Sequence, residues 1–326
     1  DVILLFAYDF DGTIYDGDCS LDFYKFCLKK KKKICFYWFK QAWFLFLYIL
    51  GFKSKTEMKE VFFCFLKDFE DIDKVVSEFW DKHYFKVKKW YLDKNHDNDV
   101  VISASPEFLL KPICERLGIK NLIGSVIDKK NGRFLKENCY GEEKVKRFEE
   151  AYGAVLVLEM YTDSTSDEPM IRKARNGFMV KGNNIIDYDS YVPSLKDKLK
   201  KKFFSSSFIR FIFTGVLNTI CGVLLSFLFS LVISNVLLAF VCGYLTSLIV
   251  SYLLNSFITF KDYDLSFHKF IMLCVSYIPN FLIQFLCVYI FWAVLGLYKL
   301  WAYIIAAVIG VPITYVILSI LPFRGK

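Results

Sequence analysis

The sequence predicts an α/β domain with a doubly wound parallel sheet and a helical cap, followed by an all-α domain of four transmembrane helices. In the first part of the chain, short apolar runs alternate with helical stretches, and polar motifs stand where the apolar runs end. Strands that alternate with helices are typical of a doubly wound sheet. After about residue 205 the chain is almost continuously hydrophobic, which is typical of helices that cross a bilayer.

The composition places the chain in the membrane class. Of its 326 residues, 55% are hydrophobic and 19% are aromatic, which is too apolar for an ordinary soluble protein. The formal net charge of +8 includes an unbroken lysine run at residues 29–33 and a second basic cluster at residues 196–202. Because both clusters adjoin apolar segments, we expect them to meet anionic membrane lipid and not nucleic acid.

Three apolar runs predict buried parallel strands that deliver polar residues to their carboxyl ends. Residues 2–8 end in Asp9-Phe10-Asp11-Gly12-Thr13, residues 100–102 lead into Ser103-Ala104-Ser105-Pro106, and residues 154–160 end at Tyr161-Thr162-Asp163. Residues 122–127 and 132–134 suggest a further strand and a hairpin. In an open α/β sheet the active site lies beyond these carboxyl ends, so we expect the polar motifs to meet there.

The stretch from about residue 15 to 92 is helical in period and predicts the cap. Within it, residues 34–52 are nearly long enough to span a bilayer but carry Lys40 and Gln41 near the middle. A crossing would separate Asp9 from Ser103 unless a second crossing followed, and residues 61–66 are too short for one. We therefore expect an interfacial or re-entrant helix that contacts the membrane.

Four long apolar segments follow, at residues 208–233, 236–257, 270–295 and 300–321. Basic residues collect on one side of them, at 196–202, at Lys261 with Lys269, and at Arg324 with Lys326. By the positive-inside rule we expect an integral protein of a bacterial inner or plasma membrane, with the catalytic domain in the cytoplasm. The expected domains are residues 1–192 and 206–326, joined by a basic linker at 193–205.

The acidic residues that follow the strand ends predict a phosphoryl-transfer site. These carboxylates are Asp9, Asp11, Asp163 and Asp167. Clustered carboxylates raise one another's pKa unless a cation compensates, and magnesium held by one or two carboxylates and a substrate phosphate is the usual solution. Ser103 supplies a hydroxyl and Lys144 a positive charge, both suited to phosphate oxygens. A carboxylate nucleophile, a metal, a lysine and a hydroxyl together favour phosphoryl transfer.

These residues resemble the motifs of the haloacid dehalogenase superfamily, in the family's order and over roughly residues 1–190. The matching motifs are Asp9-Phe10-Asp11-Gly12-Thr13, Ser103, Lys144 within Gly141-Glu142-Glu143-Lys144-Val145, and Asp163-Ser164-Thr165-Ser166-Asp167. The pattern is similar to the phosphoserine-phosphatase-like branch, which has a helical cap between the first two motifs. It is closer still to that branch's phosphatidylglycerophosphate phosphatase relatives. Thr162 departs from the family, where many members have Gly.

The resemblance implies a role for each motif residue. Asp9 would attack phosphorus to form an aspartyl phosphate, and Asp11 would protonate the leaving oxygen and then activate water. Magnesium would be held by Asp9, the Asp11 carbonyl and Asp163, with Asp167 supporting that shell. The residues implied for phosphate binding are Gly12, Thr13, Ser103, Ala104 and Lys144, of which Lys144 would also restrain the charge of Asp9.

The membrane half resembles the GtrA-like family. The matching residues are Phe208 to Phe211, Gly215, Asn218-Thr219, Asn255 and Thr259-Phe260. Members of that family are implicated in moving or presenting polyprenyl-phosphate-linked sugars for cell-envelope glycosylation. Polar residues at membrane depth are either functional or hydrogen-bond helices together, and the candidates here are Asn218, Asn255, Asn280 and Gln284.

Together the two halves predict a phosphomonoesterase that acts on a lipid-linked phosphate, with a polyprenyl-phosphate-linked sugar phosphate as the favoured substrate. A phosphatidylglycerophosphate-type phospholipid is the first alternative. A lipid-linked sugar flippase with an accessory phosphatase domain is the second, and a soluble substrate such as phosphoserine is the third. Self-association through the membrane domain is left open.

Overall fold

The computed structural model of the chain describes residues 4–94, 96–153, 155–193, 205–234 and 236–323. It divides into two compact units. The first comprises Asp1–Tyr48 and Lys53–Val192, and the second comprises Ile49–Phe52 and Pro193–Lys326. The basic cluster at 196–202, and Arg324 with Lys326, lie outside the described residues.

A six-stranded sheet forms the centre of the first unit, in the order β3-β2-β1-β4-β5-β6. All neighbouring strands are parallel except the last two, which are antiparallel. Because β1 lies between β2 and β4, the carboxyl ends of the three strands that carry the polar motifs are adjacent. The strands are β1 (Leu5–Tyr8), β2 (Asp99–Pro106), β3 (Asn121–Ser125), β4 (Val157–Thr162), β5 (Ala174–Lys181) and β6 (Asn184–Asp187).

Both faces of this sheet are buried, which is why its central strands read as continuous apolar runs. Tyr8 of β1 and Val101 of β2 belong to the core on one face. Leu5, Ala7 and Val100 belong to the core on the other face. This alternation follows from the two-residue period of a strand. The prediction of a doubly wound α/β domain is confirmed.

Helices between β1 and β2 form the cap, and three further helices connect the later strands. The cap helices are α1 (Cys19–Lys30), α2 (Trp38–Leu50), α3 (Lys55–Phe63), α4 (Ile72–His83) and α5 (Lys89–Leu92). The connecting helices are α6 (Glu107–Arg116), α7 (Glu142–Tyr152) and α8 (Glu168–Lys173). With 13 residues, α2 is shorter than the roughly 20 residues that a membrane crossing requires.

Local signals in the sequence fix where the two helices nearest the site begin. Asp18 caps α1 by accepting a hydrogen bond from the Leu21 N–H at 2.9 Å. Ser54 and Glu57 form a reciprocal capping box at the start of α3. These caps provide hydrogen-bond acceptors for N–H groups of the first turn, which have no acceptor within the helix. They therefore fix the residue at which each helix begins.

The second unit contains four long helices among its described residues, in agreement with the prediction of four. They are α9 (Ser206–Val232), α10 (Val236–Leu254), α11 (Phe267–Val288) and α12 (Lys299–Ile320), with π-helical segments at Asn255–Phe260 and Tyr289–Val294. Among described residues, the 24-residue stretch Ser206–Phe229 is long and apolar enough to cross a bilayer. Shorter apolar stretches occur at Leu245–Phe260, Phe267–Pro279 and Val308–Ile320.

Candidate active site

A cavity of about 550 Å³ opens at the carboxyl ends of the central strands. The sequence-predicted residues that line it are Asp9, Asp11, Gly12, Ser103, Ala104, Lys144, Asp163 and Asp167. Thr13 is the exception. It is fully buried outside the cavity wall, and its hydroxyl has no hydrogen-bond partner within the described part of the chain. The cap contributes the opposite wall through Leu21, Lys55, Met58, Lys59, Phe62 and Phe63.

Lys144 joins two of the predicted carboxylates. Its Nζ donates to Asp9 Oδ1 at 2.9 Å and to Asp167 Oδ2 at 2.8 Å, and its side chain is 2% exposed. Thr162 donates its hydroxyl to the same Oδ2 of Asp167 at 2.8 Å. The family departure at Thr162 therefore adds a hydrogen bond to Asp167 and leaves the charged groups in place. A buried ammonium between two carboxylates keeps its proton, and the pKa of Lys144 is accordingly raised by Asp9 and Asp167 against the effect of burial.

Asp11 has hydrogen-bond partners of its own. Its Oδ1 accepts a hydrogen bond from the Cys19 N–H at 2.6 Å, and its Oδ2 accepts one from the Ser105 hydroxyl at 2.5 Å. Burial raises the pKa of Asp11 to about 6, and the charge of Asp18 adds to the rise. A carboxyl group with such a pKa can both give and take a proton near neutral pH.

Ser103 is buried at the end of β2, and its Oγ accepts a hydrogen bond from the Ser105 N–H at 3.1 Å. This bond fixes the orientation of the side chain and leaves the hydroxyl proton to donate to a phosphate oxygen. Ser105 thus contacts both Ser103 and Asp11, and it connects the second motif to the first.

Gly12 allows Asp163 to reach the cavity. It has a φ of +72°, and a Cβ at this position would lie 2.1 Å from Asp163 Oδ2. Two lysines hold the surrounding main chain. Lys88 donates to the carbonyls of Gly12 and Gly182, and Lys181 donates to the Asp163 carbonyl at 2.7 Å. Any side chain at residue 12 would therefore displace the carboxylate of Asp163.

The donor groups fit magnesium. Asp9 and Asp163 both line the cavity, and burial raises the pKa of each, to about 8 for Asp9, although Lys144 opposes the rise at both residues. Buried carboxylates of this kind are stabilised in their charged form by a cation. Their hard oxygen atoms, with a main-chain carbonyl at the strand end, are the ligands that magnesium prefers.

The four carboxylates do not form one cluster. Among the described residues, no three His, Cys, Asp or Glu side chains converge closely enough to hold a metal by themselves. The side chain of Asp11 is bonded to Cys19 and Ser105, and that of Asp167 to Lys144 and Thr162. Two carboxylates remain, and magnesium commonly takes one or two together with substrate phosphate and water.

Several residues near the site were not identified from the sequence. Asp18, Lys55, Lys59 and Tyr140 line the cavity, and Ser105 orients Asp11. Lys59 donates to the Ala104 carbonyl at 2.8 Å and to Asn138 Oδ1 at 2.9 Å. A signal for Asp18 was present, because an Asp that precedes a helical period predicts a cap. The lysines carried no such signal, since charges on a helix usually face solvent.

The membrane unit has a cavity of its own, of about 360 Å³. Asn218 and Asn255 line it, and the amide oxygen of each is buried without a hydrogen-bond partner among the described residues. Asn255 donates from Nδ2 to the Ser251 carbonyl at 2.8 Å. Asn280 and Gln284 lie in α11, but their side chains fall outside the described part of the chain.

Comparison with known proteins agrees with both halves. The family model for haloacid dehalogenase-like hydrolases matches residues 6–172, and the model for the GtrA/DPMS transmembrane domain matches residues 210–323. No curated protein matches the chain significantly.

Solved structures that match part of this chain include a protein of unknown function from Bordetella pertussis Tohama I. It is 18% identical, with 54% of this chain and 89% of that chain covered and a TM-score of 0.48. A phosphoserine phosphohydrolase-like protein from Francisella tularensis subsp. tularensis SCHU S4 is 17% identical, with 55% and 88% covered and a TM-score of 0.37. The chain belongs to the haloacid dehalogenase-like hydrolases, and its residues 210–323 match the GtrA/DPMS transmembrane domain.

Proposed function

We propose that this chain is a magnesium-dependent phosphomonoesterase that acts through an aspartyl-phosphate intermediate on a lipid-linked phosphate. The observation that carries the proposal is the single cavity in which Asp9, Asp11, Lys144 and Asp163 face the side chains of the cap. A nucleophile, a proton donor, a fixed cation and a metal ligand are the groups that the hydrolysis of a phosphate ester requires.

In the first step, an oxygen of Asp9 attacks phosphorus as the bond to the leaving oxygen breaks, and Asp11 transfers its proton to that oxygen. In the second step, Asp11 takes a proton from water as the water oxygen attacks the phosphorus of the aspartyl phosphate. Cleavage of the bond between phosphorus and Asp9 then restores the enzyme. The hydrogen bonds from Cys19 and Ser105 hold Asp11 in place for both transfers.

Lys144 and Ser103 position the phosphoryl group in this scheme. Lys144 is bonded to Asp9, so the ammonium both orients the nucleophile and lies where a phosphate oxygen arrives. Magnesium, held by Asp9, Asp163 and the Asp11 carbonyl, would supply positive charge against the repulsion between the carboxylate and the phosphate.

The surface of the cap supports a substrate carried in a membrane. Phe36 is 83% exposed and Phe39 is 85% exposed, and Trp38 and Trp43 are also exposed. A contiguous group of exposed aromatic residues is unusual for a soluble surface and typical of segments that enter the interfacial region of a bilayer. We define these four residues as the aromatic face of the cap.

The lysine run at residues 29–33, beside the aromatic face, is partly neutralised by ion pairs with carboxylates of the same domain. Lys30 pairs with Glu78, and Lys33 pairs with Asp68 at 3.1 Å. Lys29, Lys32 and Lys40 are exposed. Such lysines next to exposed aromatic rings favour anionic lipid headgroups, at about 1 kcal/mol each near the surface.

A polyprenyl-phosphate-linked sugar phosphate of cell-envelope glycan synthesis is the substrate that best unites the two halves. The GtrA-like resemblance implies a lipid of this type for the membrane half. The distribution of basic residues in the sequence favours a catalytic domain in the cytoplasm. The terminal phosphate of such a precursor would be exposed on the same side of the membrane. A phosphatidylglycerophosphate-type lipid is the alternative substrate within the same chemistry.

One observation favours a second function, the movement or presentation of a lipid-linked sugar by the membrane half. The cavity of the membrane unit is lined by Asn218 and Asn255, whose amide oxygens have no partner among the described residues and could accept hydrogen bonds from the hydroxyl groups of a ligand. In this reading the phosphatase domain is an accessory, and lipid transfer survives Asp9→Asn.

The proposal is tested by phosphate release from purified protein in detergent with magnesium, beside Asp9→Asn. The panel holds a polyprenyl-phosphate-linked sugar phosphate, phosphatidylglycerophosphate, phosphoserine and free sugar phosphates. We expect magnesium-dependent release from one lipid class and none from the variant. Release from phosphoserine alone would overturn the lipid substrate. If folded protein releases phosphate from none of these substrates, the movement or presentation of a lipid-linked sugar becomes the favoured function.

A further inference from the structure

Three lysines line the active-site cavity, and two of them donate hydrogen bonds to groups of the domain. Lys144 is bonded to Asp9 and Asp167, and Lys59 is bonded to the Ala104 carbonyl and to Asn138. Lys55 differs from both. Within the described part of the chain, its ammonium has no carboxylate at ion-pair distance and no hydrogen-bond acceptor, and its recorded contact is with the ring of Tyr140.

The position of Lys55 is unfavourable for an unpaired cation. It is the first residue of α3, next to the positive end of the helix dipole. Burial, together with the charges of Lys59 and Lys144, lowers the pKa of Lys55 to about 8, and the charge of Asp167 opposes this only in part. Its Nζ lies 3.1 Å from the centroid of the Tyr140 ring, a contact that offsets only part of this cost. An anion beside Lys55 would compensate for the helix dipole, for the burial of the ammonium and for the charges of the two neighbouring lysines.

We propose that Lys55 and Tyr140 form a second anion subsite, which binds the phosphodiester that connects the hydrolysed phosphomonoester to the lipid. The inference rests on the proposed function and refines its substrate class. A phosphodiester keeps one negative charge over the whole working range of pH, so it can pair with Lys55 whenever the substrate is bound. The positive end of the α3 helix dipole favours the same charge.

The chemistry of the candidate lipids fits this subsite. A polyprenyl-phosphate-linked sugar phosphate and phosphatidylglycerophosphate both contain a terminal phosphomonoester and an internal phosphodiester. Phosphatidic acid has only the monoester, attached directly to the glycerol of the lipid. A second anion subsite therefore selects lipids with a phosphorylated headgroup and discriminates against lipids that are themselves simple monoesters.

The test compares substrates that differ in the phosphodiester and share their acyl chains. Values of kcat/KM are measured on phosphatidylglycerophosphate and phosphatidic acid in the same mixed micelles, with p-nitrophenyl phosphate as the reference for the chemistry. A polyprenyl-phosphate-linked sugar phosphate is measured beside them to identify the source of the diester. The variants are Lys55→Met and Lys55→Arg, and the control is Lys53→Met, which removes a partly buried lysine paired with Glu57.

We expect the wild type to prefer phosphatidylglycerophosphate over phosphatidic acid by at least tenfold. Lys55→Met should reduce this preference by about tenfold, mostly through KM, because the subsite contacts a part of the substrate that does not react. Lys55→Arg should retain most of the preference, and Lys53→Met all of it. The thermal midpoint of each variant shows whether it is folded.

Other outcomes would overturn the inference. Equal hydrolysis of both phospholipids by the wild type would show that no subsite reads the diester, while the proposed phosphatase function would stand. An equal loss on all substrates in folded Lys55→Met would assign Lys55 to the reaction centre and not to a second subsite. Failure of the wild type to hydrolyse any substrate, p-nitrophenyl phosphate included, would overturn the proposed function and this inference with it.

Discussion

The main chain of Gly12 and the carboxylate of Asp163 approach so closely that a Cβ on residue 12 would lie 2.1 Å from Asp163 Oδ2. Gly12 also has a φ of +72°, in the left-handed region that other residues rarely adopt. The first and last motifs are thus in direct contact. The glycine of the first motif makes room for a carboxylate that comes about 150 residues later in the chain and that we propose as a metal ligand.

Replacing Gly12 by Ala should therefore abolish the phosphatase activity while the domain remains folded. The added methyl group displaces Asp163, and we expect magnesium affinity to fall by at least tenfold and kcat by at least a hundredfold. The measurements are phosphate release and a magnesium titration. Gly118→Ala is the matched control, because Gly118 has a φ of +75° and nothing within 4 Å of its added Cβ. If both variants lose activity equally, backbone strain and not the displaced carboxylate is responsible.

The affinity for magnesium should increase with pH. Burial raises the pKa of Asp9 to about 8 and also raises that of Asp163, so protons compete with the metal for both groups near neutral pH. In the metal-free protein these two carboxyl groups bind more protons in the folded state than in the unfolded state, so their contribution to stability falls as pH rises toward 8. Magnesium reverses this trend, because it stabilises the ionised form.

We expect the magnesium-induced rise in thermal midpoint to be larger at pH 8.5 than at pH 6, and calorimetry to record proton release on binding. Asp9→Asn should remove part of the pH dependence together with one of the ligands. An affinity that is the same at both values of pH would contradict the assignment of these two carboxylates as the metal ligands.

The dependence of the reaction on Asp11 should vary with the leaving group. Burial raises the pKa of Asp11 to about 6, so its proton-donating form is lost as pH rises through 6. Hydrolysis of an alkyl phosphate, whose leaving oxygen needs a proton, should slow over this range. Phosphoryl transfer from p-nitrophenyl phosphate should not slow over this range, because its leaving group needs no proton.

Asp11→Asn should accordingly slow phosphorylation by an alkyl phosphate by about 10² to 10⁴-fold and phosphorylation by p-nitrophenyl phosphate much less. Rapid-quench measurement of the aspartyl phosphate separates this step from hydrolysis. Equal losses for both substrates in the first step would mean that Asp11 is not the proton donor.

Much of this architecture follows from patterns in the sequence. Strands β1, β2 and β4 are apolar and end in polar motifs, and in a parallel sheet such ends must lie on one edge. Strands β5 and β6 were not predicted, because the stretch Arg175-Asn176-Gly177 within β5 is polar and half-exposed toward the edge of the sheet. Periodicity identifies a strand best where both of its faces are buried.

The charge environment of the cavity was less predictable. Lys144 belongs to a motif, but Lys55 and Lys59 occupy one face of a short helix in a lysine-rich region, where surface exposure is the ordinary expectation. Only the packing of α3 over the carboxyl end of β2 turns these lysines toward the reacting carboxylates, as the bond from Lys59 to the Ala104 carbonyl shows. A contact between residues so distant in sequence has no local signature.

Thr162 should contribute to stability through Asp167. Its hydroxyl donates to Asp167 Oδ2 at 2.8 Å, and both residues are almost fully buried. Thr162→Val keeps the shape of the side chain but leaves the carboxylate short of a donor, which should lower the free energy of unfolding by about 1–3 kcal/mol. Thr162→Ser should retain most of the stabilisation, because serine keeps the hydroxyl. Denaturant unfolding of the two variants makes the comparison, and equal stability of Val and wild type would show that Lys144 alone satisfies Asp167.

The aromatic face of the cap should be needed for substrates in a bilayer and dispensable for soluble ones. Replacing Trp38, Phe39 and Trp43 together by Gln removes exposed apolar area without altering the cavity, since none of the three lines it. Because these rings would insert into the interfacial region, we expect at least a tenfold loss of kcat/KM on a lipid substrate in anionic vesicles. The rate with p-nitrophenyl phosphate should stay within about twofold of the wild type.

The matched control replaces exposed aromatic residues elsewhere in the cap, Tyr84 and Phe85, by Gln. Quenching of tryptophan fluorescence by brominated lipid provides a readout that is independent of activity, and it should decrease in the triple variant and not in the control. If the triple variant hydrolyses the vesicle substrate as well as the wild type does, the aromatic face serves another purpose. The case for a lipid substrate would then depend on the membrane unit alone.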